Sequence, residues 1–111
     1  MDTPLKADGR FWLTLDGRNF LGRGRVELLQ HIRETGSISR AAKAMRMSYK
    51  AAWDAVDSMN TAWNVPLVES GPGGSHVTDD AEQLIAAYLR AEARHTEFLL
   101  KLGDKLPARP D

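Results

Sequence analysis

The sequence predicts a mainly α-helical domain with a small β-hairpin, and three observations carry that expectation. Two short helical segments, each opened by serine, lie close together between residues 37 and 62. A glycine-rich turn, Gly71-Pro72-Gly73-Gly74-Ser75, follows between two short extended runs. A helical pattern then runs from Asp79 to Leu102. The 111 residues fit one domain of the usual ~100–150, and 42% hydrophobic with 27% charged residues is enough apolar material for one modest core. The absence of cysteine excludes a disulfide scaffold, a thiolate metal site and a cysteine nucleophile.

The start, MDTPLKADGR, has no apolar stretch behind a basic cluster, so no signal peptide is visible. No run approaches the ~18–20 apolar residues of a membrane span. A cytoplasmic protein without membrane contact is expected. Residues 1–9 are polar and read as frayed. Phe11–Leu15 reads as a strand ending in the turn Asp16-Gly17. Apolar spacing from Val26 to Ile32 predicts a helix beginning near Arg23–Arg25, with Gly36 as its stop.

Ser39 is a candidate N-cap for a two-turn helix, Arg40–Arg46, with Ala41, Ala42 and Met45 inward. Ser48 caps a second helix, Tyr49 to about Ala62, with Ala51 or Ala52, Ala55, Val56 and Met59 inward. Two short helices joined by a tight turn make a helix-turn-helix, and the alanines allow a close crossing. The strand Pro66–Glu69, the glycine-rich turn and the strand His76–Thr78 stand where a winged helix-turn-helix carries its wing. Thr78 or Asp79 caps the long helix, whose first turn is acidic. The expected organisation is a winged helix-turn-helix DNA-binding unit over residues 1–78, a long dimerisation helix over 79–103, and a disordered tail over 104–111.

Along the long helix Leu84, Tyr88, Ala91, His95, Phe98 and Leu102 follow a heptad-like four–three spacing, beside a second stripe of Ile85, Leu89, Leu99 and Leu106. One stripe can face the domain's own core while the other meets a second copy; alternatively, both fold back into one core.

The 15 basic and 15 acidic residues cancel overall but not locally. Arg18, Arg23, Arg25, Arg33, Arg40, Lys43, Arg46 and Lys50 face only Glu27 and Glu34 over the same stretch, a net +6 leading into the motif. That is the electrostatic footprint phosphate contact requires. In a helix-turn-helix the N-terminal part of the second helix enters the major groove, which nominates Ser48, Tyr49, Lys50, Trp53 and Asp54. Lys50 can donate to guanine or phosphate, Tyr49 can reach phosphate or a thymine methyl, and Asp54 can only accept. Asp54 is also placed to pair with Lys50, and Trp53 fits either core or surface. Ser39 and Arg40 open the first helix, where backbone N–H groups favour phosphate. Gly73, Gly74 and Ser75 form either a wing tip near DNA or a plain hairpin turn. His31, His76 and His95 lack metal-site spacing, and Gly71–Ser75 lacks the lysine of a phosphate loop, so neither a metal site nor an enzyme is expected.

Thr35-Gly36-Ser37-Ile38-Ser39-Arg40-Ala41-Ala42 resembles the opening of the LysR-type helix-turn-helix. The continuation from Met47-Ser48-Tyr49-Lys50 through Ala52-Trp53-Asp54-Ala55 to Asn60 resembles the DNA-binding domain of the ModE family of molybdate-responsive regulators, whose second helix carries Ser-Tyr-Lys-x-Ala-Trp-Asp-Ala. The resemblance extends from Leu13-Thr14-Leu15 into Leu84-Ile85. Where the family usually has Leu-Thr-x-x-Gly after the wing, this chain has Val77-Thr78-Asp79-Asp80-Ala81, and its wing loop is shorter than in the best-known member. The resemblance implies a homodimeric, sequence-specific DNA-binding transcriptional regulator acting on double-stranded DNA. It implies molybdate sensing for the family, in domains that follow the long helix there. For this chain the expectation is a stand-alone DNA-binding domain with no cofactor of its own, signalled by a separate sensor protein. The alternative is a winged-helix protein-interaction module taking its signal from a partner chain.

Overall fold

The computed structural model describes residues 3–110; Met1, Asp2 and Asp111, included in the expected domain bounds, lie outside the described residues. Among the described residues the order is β1 (Thr3–Pro4), β2 (Leu13–Leu15), β3 (Arg18–Leu21), α1 (Arg23–Thr35), α2 (Ile38–Ala44), α3 (Tyr49–Trp63), β4 (Val68–Gly71), β5 (Gly74–Val77), α4 (Asp79–Gly103) and β6 (Ala108–Arg109). The strands pair antiparallel as β1–β6, β2–β3 and β4–β5.

β2 and β3 turn through Asp16 and Gly17 at φ 52° and 75°, the two left-handed residues a tight hairpin needs. β3 is an addition to the elements the sequence predicts. Its apolar residues Phe20 and Leu21 are adjacent and both buried, so it shows no alternation. α1 buries Val26, Leu28, Leu29 and Ile32, and ends where left-handed Gly36 returns its N–H to Ile32 O at 2.8 Å.

The first helix of the motif begins earlier than its expected Arg40–Arg46. Ser37, not Ser39, is the N-cap: it is extended, and its hydroxyl accepts the Arg40 N–H at 3.1 Å. Ile38, the first helical residue, is buried and holds the start in place. Arg46 lies outside the helix, left-handed at φ 55°, in the turn to α3. The second helix matches its expectation: Ser48 accepts Ala51 N–H at 3.0 Å, and left-handed Asn64 closes α3. Ala41, Ala42 and Ala52 are essentially inaccessible where α2 and α3 meet, which settles the alternative at 51/52, since Ala51 is exposed.

Asn60 of α3 clamps the wing. Its Oδ1 accepts the N–H groups of Leu67 and Val68 at 2.8 and 3.2 Å, and its amide donates to Val68 O at 3.1 Å. Thr78 closes the base by donating to Pro66 O while its hydroxyl accepts Ala81 N–H to cap α4. Ala81, at the family's glycine position, is fully buried there. The far end of the hairpin rests on the α1–α2 turn, with Ser75 N–H donating to Gly36 O at 2.9 Å.

α4 runs antiparallel to α1 and continues past it. Twenty-five residues span about 37 Å, which lifts the radius of gyration to 17.8 Å, against about 13 Å for a compact chain of this length. Residues 5–11 lie along its far half, with Gly9 beside His95 and Leu99, and the Phe11 ring 5.4 Å from that of His95. This arm brings the ends of the chain together. The tail expected to be disordered includes β6, which pairs with β1 in the register Thr3 to Arg109 and Pro4 to Ala108.

The wing contact predicts a contrast between two neighbouring glycines. At Gly74, φ is 110° and a Cβ would stand 2.6 Å from Gly36 O, whereas nothing lies within 4 Å of one at Gly73. Gly74→Ala should destabilise the fold by about 2 kcal/mol or more, and Gly73→Ala by less than about 0.5 kcal/mol. Urea unfolding of both variants checks this; equal midpoints would refute the contact.

Candidate nucleic-acid interface

α3 is built in strips. Ala52, Val56 and Met59 are buried against the core. Lys50, Asp54 and Asp57 stand on the exposed side. Tyr49 and Trp53, one turn apart, are 56% and 48% exposed. Trp53 is therefore a surface residue, which resolves the choice the sequence left open. Lys50 Nζ lies 2.9 Å from Asp54 Oδ2, an exposed i,i+4 ion pair, so the one lysine of α3 is already partnered. Ser48 caps the helix with its hydroxyl oxygen and keeps its O–H as a donor.

The other expected contacts divide. Ser39 and Arg40 are exposed. They do not form a helix-start anion site, because α2 begins at Ile38 and the Arg40 N–H is already taken by Ser37. The Arg40 guanidinium is exposed and makes no bond among the described residues. At the wing, Gly73 is open, but Gly74 is pressed on Gly36 and Ser75 is engaged by both its N–H and its hydroxyl, the latter 2.7 Å from Ser70 Oγ. A cleft of about 810 Å3 lies elsewhere, on Trp12, Arg23, Tyr88 and His95, and none of the expected DNA residues lines it.

The net +6 of the basic stretch does not all face one way. Arg33 pairs with Glu82 at 2.9 Å and Arg23 with Glu92 at 3.2 Å, both on α4. Arg25 donates to Phe20 O at 2.9 Å and to Ser58 Oγ at 3.2 Å, tying β3 to α3. Among the described residues Arg18, Arg40, Lys43 and Arg46 make no side-chain bond within the chain and are exposed. Arg18 lies on β3; the other three, on α2 and the turn beyond it, are the free positive charge that leads into α3. In the sequence Lys43 and Arg46 stand out only as charge, and their place in the short helix and its turn is the signal that marks them.

The expected dimer seam also divides. Tyr88 is 1% exposed and sits in this chain's own core. Its ring lies 5.5 Å from Phe11, and its hydroxyl donates to Glu92 at 2.9 Å. His95 packs against the Phe11 ring. These two side chains point inward because the arm of residues 5–11, whose path no local pattern predicted, covers that face. Leu84 and Ala91 are half-buried, and Phe98 and Leu102 are exposed. In the second stripe Ile85 is buried while Leu89 and Leu106 are exposed.

Comparison with known proteins agrees with this geometry. The family model of bacterial regulatory helix-turn-helix proteins, lysR family, matches residues 24–82. The transcriptional regulator ModE of Yersinia pestis is 40% identical over 109 residues, covering 93% of this chain and 41% of that protein. The molybdenum-pterin-binding protein MopB of Rhodobacter capsulatus is 42% identical over 95 residues, covering 81% of this chain and 35% of its own length. The chain thus spans about two fifths of the length of the curated relatives it matches. Among solved structures, the BenM_DBD/benA site 1 DNA complex superposes with a TM-score of 0.61 at 9% identity, over 78% of this chain and all of that one. This likeness shows the fold.

The Tyr88 contact has a pH signature. Burial first, and then its bond to the Glu92 carboxylate, push the Tyr88 hydroxyl up to about 12, while an unfolded tyrosine ionises near 10. The folded state therefore holds the proton over this window. Stability from the neutral hydroxyl is complete below pH 10 and falls between pH 10 and 12, at about 1.4 kcal/mol per pH unit. Urea unfolding across that range should show this additional loss in the parent and not in Tyr88→Phe; parallel profiles would show that the hydroxyl is not so held.

Proposed function

The chain belongs to the bacterial regulatory helix-turn-helix proteins of the lysR family, and from that premise we propose that it is a sequence-specific, DNA-binding transcriptional regulator of the ModE type. One observation carries the reading. The N-terminal half of α3 stands open with Tyr49, Lys50, Trp53 and Asp54, next to the unpaired cations Arg40, Lys43 and Arg46. In this arrangement α3 enters the major groove and the α2 cations hold phosphates on its flank. Lys50 and Asp54 meet base edges as a donor–acceptor pair, and Ser39 and Ser48 offer hydroxyls to the backbone. The wing contributes at Gly73, and the engaged Gly74 and Ser75 brace it.

A second copy of the chain completes the reading, since an operator read by one α3 offers few base contacts. The exposed Phe98 and Leu102, with the half-buried Ala91 on the same side, form the surface assigned to it, while Leu84 packs on this chain's own core. Double-stranded DNA and the second copy are the partners. The names of the relatives link them to molybdenum. We assign this chain the same class of signal, delivered by a sensor outside the described residues, with no cofactor held by these residues and no reaction catalysed. Action on chromosomal DNA places it in the cytoplasm; no helix among the described residues is long and apolar enough to cross a membrane.

The test is binding of random-pool and promoter duplexes followed by anisotropy across salt concentration. Affinity should fall steeply with salt, and alanine at Arg40, Lys43 and Arg46 together should flatten the log–log slope by roughly 0.9 for each phosphate no longer neutralised. Asp54→Asn, which releases Lys50, should tighten binding to unrelated sequences. Unchanged slopes in the triple variant would remove the α2 cations from the interface. A monomer with no duplex retained at low salt would instead favour a protein-interaction module, a reading to which the exposed Asp54 and Asp57 lend some support.

A further inference from the structure

Trp53 is a large aromatic side chain left half exposed on α3. Its neighbour one turn back, Tyr49, is exposed as well, and among the described residues large apolar side chains are otherwise exposed only in the N-terminal segment, at Val65, on α4 and in the tail. The pair stands on the strip of α3 that runs, seven residues on from Trp53, to Asn60, whose side chain clamps the start of β4. That clamp fixes the rotation of α3 relative to the wing, and with it the direction in which this strip faces. The Trp53 indole N–H has no acceptor among the described residues, whereas that of Trp63 donates to Asp80 at 3.0 Å.

The polar groups beside the rings narrow what they meet. Lys50 is held by Asp54 at 2.9 Å, and Asp54 and Asp57 can only accept and are repelled by phosphate. This part of α3 therefore suits base edges better than the sugar-phosphate backbone. In the major groove one base carries an apolar group at its edge, the C5-methyl of thymine. We infer that Trp53, supported by Tyr49, is a specificity-determining residue that reads thymine through its methyl group. The inference rests on the DNA-binding reading above and adds to it the base and the atom recognised. Base preference comes from apolar contact on the ring strip, while grip on the backbone comes from Arg40, Lys43 and Arg46 on the neighbouring helix and its turn.

The experiment removes the methyl and leaves everything else. Duplexes retained by the full chain are recovered from a random pool, and each thymine of the recovered site is replaced in turn by deoxyuridine. At one or two positions the parent protein should lose about fourfold in affinity for the missing methyl. Trp53→Ala should bind more weakly and be indifferent to the same replacement, and Trp53→Phe should keep part of the response. Thermal melting confirms that the variants fold, and Trp53→Gln replaces Trp53→Ala if the latter melts early. Binding that is indifferent to deoxyuridine at every position, or equally sensitive in the parent and the Trp53 variants, overturns the inference and leaves the DNA-binding reading standing. Retention of no duplex at low salt overturns both.

Discussion

The carbonyl of Gly36 is the point on which the arrangement turns. It belongs to the left-handed residue that ends α1 and starts the path to Ser37, the cap of α2, and it accepts the N–H of Ser75 at the far end of the wing. One peptide group thus joins the last turn of α1, the first turn of the helix-turn-helix and the tip region of the hairpin. The approach is so close that Gly74 has no room for a side chain. Asn60 makes the matching connection at the other end, between α3 and the base of the same hairpin. Fastened at both ends, the hairpin braces the motif and aims α3.

Electrostatics divides the molecule along the same lines. The acidic residues of α4 attract the arginines of α1, Glu82 to Arg33 and Glu92 to Arg23, and hold the long helix on the domain. The Arg33–Glu82 pair is solvent-exposed and contributes modestly to stability, while in the other the Glu92 carboxylate is half-buried and also accepts the Tyr88 hydroxyl. Their larger effect is on charge distribution: by pairing Arg23 and Arg33 they leave the free cations of the basic stretch at Arg18 on β3 and on α2 and its turn. The Lys50–Asp54 pair does the same within α3, where it partners the lysine of the exposed strip.

Much of this was legible in the chain. Ser48 and the spacing of Ala52, Val56 and Met59 gave α3 nearly to the residue, because a cap and an apolar stripe are local signals. Gly36 stopped α1 for the same reason. The start of α2 lies two residues before the position its sequence suggests because two serines stand in reach, and only the burial of Ile38 distinguishes them. β3 was missed because a short strand with both apolar residues facing the core leaves no alternation to read. Of the site, Tyr49, Lys50 and Asp54 were named from position alone. The state of Lys50, the exposure of Trp53 and the engagement of Gly74 and Ser75 needed neighbours distant in sequence or geometry not encoded in spacing.

By itself, then, the sequence determined the helices, most of their caps, the wing hairpin and the class of fold, since propensity, capping and periodicity act over a few residues. Tertiary structure alone decided which charges remain free and which face of α4 stays open. The seam spacing of Tyr88 and His95 is that of a partner-facing stripe, yet the arm of residues 5–11 covers both, and Phe11 reaches Tyr88 across 77 positions of chain. Local patterns report that an apolar face must be covered. Which segment covers it depends on chain path and packing, and those exist only once the whole domain has folded.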